Sequence, residues 1–291
     1  MKSISVGALL TLTVLLLFPT SAWAQKKKLP DQIRPPQFVR TTMKQEQRRF
    51  GYGGSVALVG APEGSITIEG WNRTEVIISA EIQLRADTEQ DLDRLAAVNG
   101  IVLDEDANHI RILSTGTHDK AYMKTAKKFP KALLGLPWKI DYRIRVPAAT
   151  DLDINAGRGP IKIVGVEGDV RISAAESETD LKLSGGALSV TVAKGKVNLN
   201  VPERSWRRGG ADIRVAIGDV SLGLPPGFNG DVDAEILRSG KIIDSYGLEV
   251  REKPGITQQN AKARAGSGGA FFQLTVADGT INITKQAVDD K

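Results

Sequence analysis

From about residue 51 onward, apolar and polar positions alternate with a period of two. That spacing puts successive side chains on opposite faces of a β-strand. A five-residue unit recurs: glycine, any residue, apolar, any residue, apolar. It reads Gly54-Ser-Val-Ala-Leu, Gly64-Ser-Ile-Thr-Ile, Gly159-Pro-Ile-Lys-Ile, Gly168-Asp-Val-Arg-Ile and Gly186-Ala-Leu-Ser-Val. Gly195-Lys-Val-Asn-Leu, Gly218-Asp-Val-Ser-Leu and Gly279-Thr-Ile-Asn-Ile repeat it, and Gly230-Asp-Val-Asp-Ala is a weaker copy. Each unit predicts a turn glycine followed by a strand of about five residues. One unit cannot bury its own face, so stability must come from stacked neighbours. The spacing fits all-β architecture, either antiparallel meanders or the rungs of a solenoid. Inward positions are Val, Ile and Leu, which suit thin layers. Val146-Pro147, Val201-Pro202 and Leu224-Pro225 mark strand ends, because proline removes a ladder donor.

The period changes in two places. Thr88 to Val98 carries Leu92, Leu95 and Ala96 at helical spacing behind a capping Asp87 or Thr88, which predicts one short helix near 88–97. Strands over 100–104 and 109–113 should follow it. Residues 115–138 form a basic insert, too long for an ordinary connection. Within it, Ala121 to Leu134 predicts an amphipathic helix broken at Pro130.

The N-terminus reads as an address. Lys2 precedes the apolar stretch Val6 to Phe18, and Ala22-Trp-Ala24 supplies a small-x-small cleavage pattern. Thirteen helical residues span about 20 Å, short of a hydrocarbon core of about 30 Å. Residues 1–24 are therefore expected to be a secretory signal peptide. The expected organisation is a basic flexible leader at 25–50, a β-repeat domain at 51–284 with a candidate sub-boundary near 139, and a tail at 285–291.

Composition narrows the chemistry. The chain has no cysteine and two histidines, His109 and His118. This excludes disulfides, thiolate metal sites and thiol nucleophiles. The formal net charge of +5 is uneven. Residues 25–50 hold eight basic and two acidic side chains, and residues 115–145 hold the same numbers, so the rest of the mature chain is acidic. The acidic turns Asp104-Glu-Asp106 and Glu176, Glu178, Asp180 carry the residue types of a glycosidase but imply no cleft. Asp151 and Asp153 are too few for a calcium cage. No phosphate loop or nucleophile elbow occurs. The expectation is no catalytic residue, no cofactor, no metal and no nucleic-acid partner.

Several of these segments resemble a bacterial family of exported adhesin-like proteins, otherwise a domain of unknown function. The likeness spans roughly residues 54–284. It rests on Gly64-Ser-Ile-Thr-Ile-Glu-Gly-Trp71, the strand from Glu75, Arg143-Ile-Arg-Val-Pro147, Gly218 to Pro225 and Gly279 to Thr284. The resemblance implies a right-handed, solenoid-like fold (a β-helix or β-roll), a periplasmic or cell-surface location and no catalytic residues. The expected function is then a non-enzymatic envelope module, adhesin-like or surface-polymer-binding. The alternatives are a polysaccharide-active enzyme on a β-solenoid and a periplasmic structural or regulatory module that binds a protein partner. The candidate binding surface is Lys120, Lys124, Lys127, Lys128, Lys131, Phe129 and Trp138, facing an anionic polymer, a glycan or a membrane surface. The competing role for the insert is to cap one end of the stack.

Overall fold

The computed structural model describes residues 38–51, 53–126, 128–250 and 256–286. The expected signal peptide, residues 25–37 of the leader and residues 287–291 of the tail lie outside them. The first strands are β1 (Phe38–Arg49), β2 (Ser55–Glu63), β3 (Ile66–Trp71) and β4 (Glu75–Ala86). Helix α1 (Glu89–Ala96), β5 (Gly100–Glu105), β6 (His109–Thr115), α2 (Lys120–Thr125) and a 3-10 turn at Lys131–Leu133 follow. Next come β7 (Trp138–Pro147), β8 (Asp151–Arg158), β9 (Ile161–Val164), β10 (Val170–Lys182), β11 (Leu188–Asn200) and β12 (Ala211–Leu224). The chain ends with β13 (Gly230–Asp244), β14 (Glu249–Val250), β15 (Asn260–Ala265) and β16 (Ala270–Lys285). The protein is all-β, with helices only at 89–96 and 120–125 among the described residues.

The central strands pair in parallel and nearly in register. Ile172 lies beside Val190, Val190 beside Ile213, and Ile213 beside Leu274. Parallel strands usually need a crossover of a dozen or more residues. Here only residues 183–187 join β10 to β11. Five residues reach about 20 Å, whereas a straight thirteen-residue strand spans about 40 Å. The strand must therefore bend, and it bends at the repeat. Gly218 and Gly279 lie inside β12 and β16 with φ of 136° and 148°.

This corrects the sequence reading of those glycines as turns between five-residue strands. They are corners within strands of 13 to 16 residues. Each corner stacks on the next, so the glycines of the column have no room for a side chain in their conformation. A Cβ on Gly218 would sit 1.7 Å from the Gly195 carbonyl oxygen. At the one non-glycine position, Ser177 is buried and shares a 2.9 Å hydrogen bond with Thr179.

The corner splits the sheet into two branches at β10. First halves continue through β8, β2 and β6 to β5. Second halves continue through β9, β3, β7 and β4 to β1. Beyond β10 lie β11, β12, β16 and β13, with β15 and β14 at the far edge. Inner positions of both branches are aliphatic and buried, including Ile154, Ile172, Val190, Ile213 and Leu274 on one and Ile163, Leu181, Leu199, Leu222 and Ile283 on the other. Trp206, Phe228 and Phe272 close the core beneath the links, with rings edge to face at 5.4 and 5.5 Å.

Two expectations about organisation change. Residues 38–49 of the supposed flexible leader form β1, paired with β4 along its whole length. The candidate boundary near 139 falls inside the sheet, where β7 pairs with β3 and β4. The helix is capped by Thr88, whose side chain accepts from the Asp91 N–H, and it buries Leu92 and Leu95.

Gly218→Ala should lower the unfolding free energy by about 3 kcal/mol or more, because its methyl meets rigid backbone and its φ disfavours any side chain. Gly53→Ala, at φ 71° with open space around it, should cost only about 1 kcal/mol. Urea denaturation of the two variants checks this. Equal losses would remove the corner from the account of stability.

Candidate functional site

The insert between β6 and β7 is anchored from one side. Asp119 caps α2, its carboxylate accepting from the N–H groups of Ala121 and Tyr122. The predicted helix over 121–134 is only six residues long, because the backbone leaves the helix at Ala126, ahead of Pro130. Below it the chain drops apolar side chains into the core. Leu133 and Trp138 are buried, and Phe129 and Leu136 pack against them from the edge. Trp138 is only 7% exposed, and the His118 ring lies against it tilted at 49°, with 5.2 Å between ring centroids. Trp138 is therefore a packing residue, while Phe129 is half-buried and lines an open groove beside the helix α1.

Above these anchors the insert turns its lysines outward, and Leu134 is exposed beside them. Lys120, Lys124, Lys128 and Lys131 are exposed, and no ion pair holds any of them among the described residues. Lys127 lies outside the described residues. Residues 38–49 of the first basic segment reach the same end of the sheet but behave differently. Arg40 pairs with Asp93 of α1 at 2.7 Å, and Arg48 pairs with Glu105 of β5 at 2.8 Å. These contacts tie the edge of one branch to the helix and to the edge of the other. Between α1 and the insert lies an open groove of about 580 Å³, lined by Arg94, Val98, Tyr122, Lys128 and Phe129.

Two other concave regions bear on the enzymatic alternative. A groove of about 730 Å³ follows the glycine corner past Glu63, Lys139, Asp141, Arg158, Glu176 and Lys196. Its charges largely satisfy each other. Lys139 meets Asp141 at 2.6 Å, and Glu176 sits 3.3 Å from Lys194 and 3.9 Å from Arg158. Burial alone would raise the Asp141 carboxyl, but Lys139 and the Ser65 hydroxyl and N–H outweigh it and hold it below the usual range. A glycosidic general acid needs the opposite shift.

The second groove, of about 500 Å³, contains Ser55 and His109, with Ser55 Oγ 2.8 Å from His109 Nδ1. Sequence reasoning missed this pair. The residues are 54 positions apart and meet only because β2 and β6 pair at that register. No described side chain hydrogen-bonds the other ring nitrogen, where a third group usually orients a catalytic base. Asp151, beside Ser55, accepts from the Asp169 N–H at 2.7 Å, and Asp169 accepts from the Ala187 N–H at 2.8 Å. These carboxylates serve the stack.

No model of a known protein family matches the chain, so the family resemblance in the sequence stays a likeness of motifs. No curated protein matches it either. Among solved structures, one from Clostridium sporogenes ATCC 15579, named "a putative cell adhesion protein", is similar over 84% of this chain and 100% of its own. Identity is 13% and the TM-score 0.39. A "putative adhesin" from Bacteroides fragilis NCTC 9343 covers 84% and 97%, at 12% identity and a TM-score of 0.24. A "putative lipid binding protein" from Parabacteroides distasonis ATCC 8503 covers 84% and 97%, at 12% and 0.23. Likenesses this distant assign the chain to no family.

Burial against Trp138 pulls the His118 imidazole below the usual histidine value, although the Gly60 backbone and the Asp119 charge act the other way. A lowered pKa means that folding favours the neutral ring. The stabilisation is complete above the unfolded value of about 6.5 and is lost as pH falls toward the folded value. Stability should therefore fall from about pH 7 to pH 5, and His118→Gln should flatten that slope. Denaturation across this range, with the ring titrated by NMR, is the check. A His118 midpoint at or above 6.5 would refute it.

Proposed function

We propose that the protein is a non-enzymatic, exported envelope module that holds an anionic surface polymer on the lysines of its insert. The observation that carries this reading is the arrangement of the insert. Its Leu133 and Trp138 are buried in the core with Phe129 and Leu136 packed against it, while Lys120, Lys124, Lys128 and Lys131 are exposed and in no ion pair among the described residues. An anchored backbone keeps these lysines together at one place, so binding orders only their side chains and not the segment.

Export follows from the signal-like residues 1–24. No helix among the described residues is long and apolar enough to cross a membrane. The body, in this reading, is a right-handed solenoid. The short link between β10 and β11 and the bent strands support a coil, and the handedness follows the general rule for parallel connections. Such a stack holds its cationic end at a fixed place on a long, rigid support.

Replacing Lys120, Lys124, Lys127, Lys128 and Lys131 together by alanine should weaken sedimentation with cell-envelope fractions by more than about tenfold, at about 1 kcal/mol per lysine. Binding by the unmodified protein should also fall as salt rises. Equal binding by the variant, at matched thermal stability, would remove the insert from the function.

A further inference from the structure

We propose that β1 is a self-pairing edge, through which two copies of the chain join into one continuous sheet across a two-fold axis at Met43. The strand is unusual in that none of its twelve residues is buried. It pairs with β4 on one side, and no described strand covers the other. Its outer edge therefore presents a row of backbone donors and acceptors, the template for adding another strand. Three large exposed apolar side chains, Phe38, Val39 and Met43, lie on this one strand, and Met43 is 56% exposed.

Natural edges are usually blunted by charge. Here the charges select one partner. A two-fold axis normal to the sheet keeps each face continuous, so residues of like parity must oppose one another. Centred on Met43, the antiparallel register aligns residues 38–48 with their own copy. Arg40, which also holds Asp93, then faces Glu46 of the second copy, which also holds Arg48 of its own chain, so the pair across the axis extends each copy's ion pairs, and the symmetry repeats it. Thr42 faces Lys44, Thr41 faces Gln45, and Val39 faces Gln47. No like charges are opposed.

Centring on Lys44 instead would set Lys44 against itself and Arg40 against Arg48. Centring on Thr42 would oppose Arg40 and Lys44. Directly opposed like charges destabilise strand pairing, so the pattern rejects the neighbouring registers as well as unrelated basic strands. Arg40 and Arg48 already hold α1 and β5 in one copy, which fixes the edge before a second copy arrives.

The test uses the absence of cysteine from the chain. Opposed residues in an antiparallel pair have Cα atoms about 4.5–5.5 Å apart, within disulfide range. Met43→Cys on the axis should form a covalent dimer under mild oxidation. Val39→Cys, equally exposed but opposite Gln47, should not. In sedimentation velocity the unmodified protein should show a dimer at tens of micromolar. Arg40→Glu and Glu46→Arg should each raise the dissociation constant at least tenfold, and the double exchange should restore dimerisation.

A monomer at all concentrations, equal crosslinking at both positions, or a double exchange no better than the singles would overturn the proposal. The exposed cysteine variants keep the test decisive if a charge exchange impairs folding. None of these readouts involves the lysines of the insert, so failure here leaves the polymer-binding reading standing, and the reverse holds.

Discussion

The structure depends on returning a long strand to its own beginning with a very short link. Five residues between β10 and β11 allow this only if the strand turns midway. A column of stacked glycines makes the turn while both flanks stay in the ladder. Backbone pairing thus continues through the corner, and rows of side chains repeat from strand to strand. The aliphatic core follows, because each inward row must fill a thin, regular layer. A chain without cysteine has to gain its stability this way, from repeated burial and ladder hydrogen bonds.

A stack solves its middle and leaves its ends open. The first end holds β1 and the insert, and their basic residues divide the labour by residue type. Arginines of β1 reach across to carboxylates on α1 and β5. Their forked, weakly hydrated groups suit fixed pairs. Lysines of the insert stay in water while Leu133 and Trp138 anchor the segment below them. Capping and binding were rival accounts of the insert. The burial pattern gives capping to its apolar residues and leaves its lysines available.

Much of this fold was legible in the sequence, and the failures share a cause. The helix at Glu89–Ala96 and the strands at Gly100–Glu105 and His109–Thr115 followed from local periodicity and a capping threonine. Glycines 195, 218 and 279 were visible as a repeat, but a turn and a corner look alike in one dimension. What separates them is the backbone of the adjacent strand, less than 2 Å from any added Cβ. Residues 38–49 read as a flexible leader because a charged edge strand buries nothing and so carries no alternation of burial. The Ser55–His109 contact had no local signal at all, since register alone creates it. At the candidate site, the lysines were readable from sequence and the burial of Trp138 was not.

The same ladder logic bears on where chemistry can reside in such a protein. Polar side chains on the body stand in rows one strand apart, and many find a partner in the next rung. Asp151 and Asp169 accept from the backbone of the following rung. Asn198 donates to Asp180 at 2.7 Å, and Thr280 donates its N–H to Asp219. Glu176 is shared by two cations from neighbouring strands. Groups satisfied in this way are poor catalysts and weak ligands, because binding anything else means breaking a bond already made. The end carrying β1 and the insert is one place where the repetition stops: the outer edge of β1 has no described neighbour, and four exposed lysines of the insert have no ion pair among the described residues.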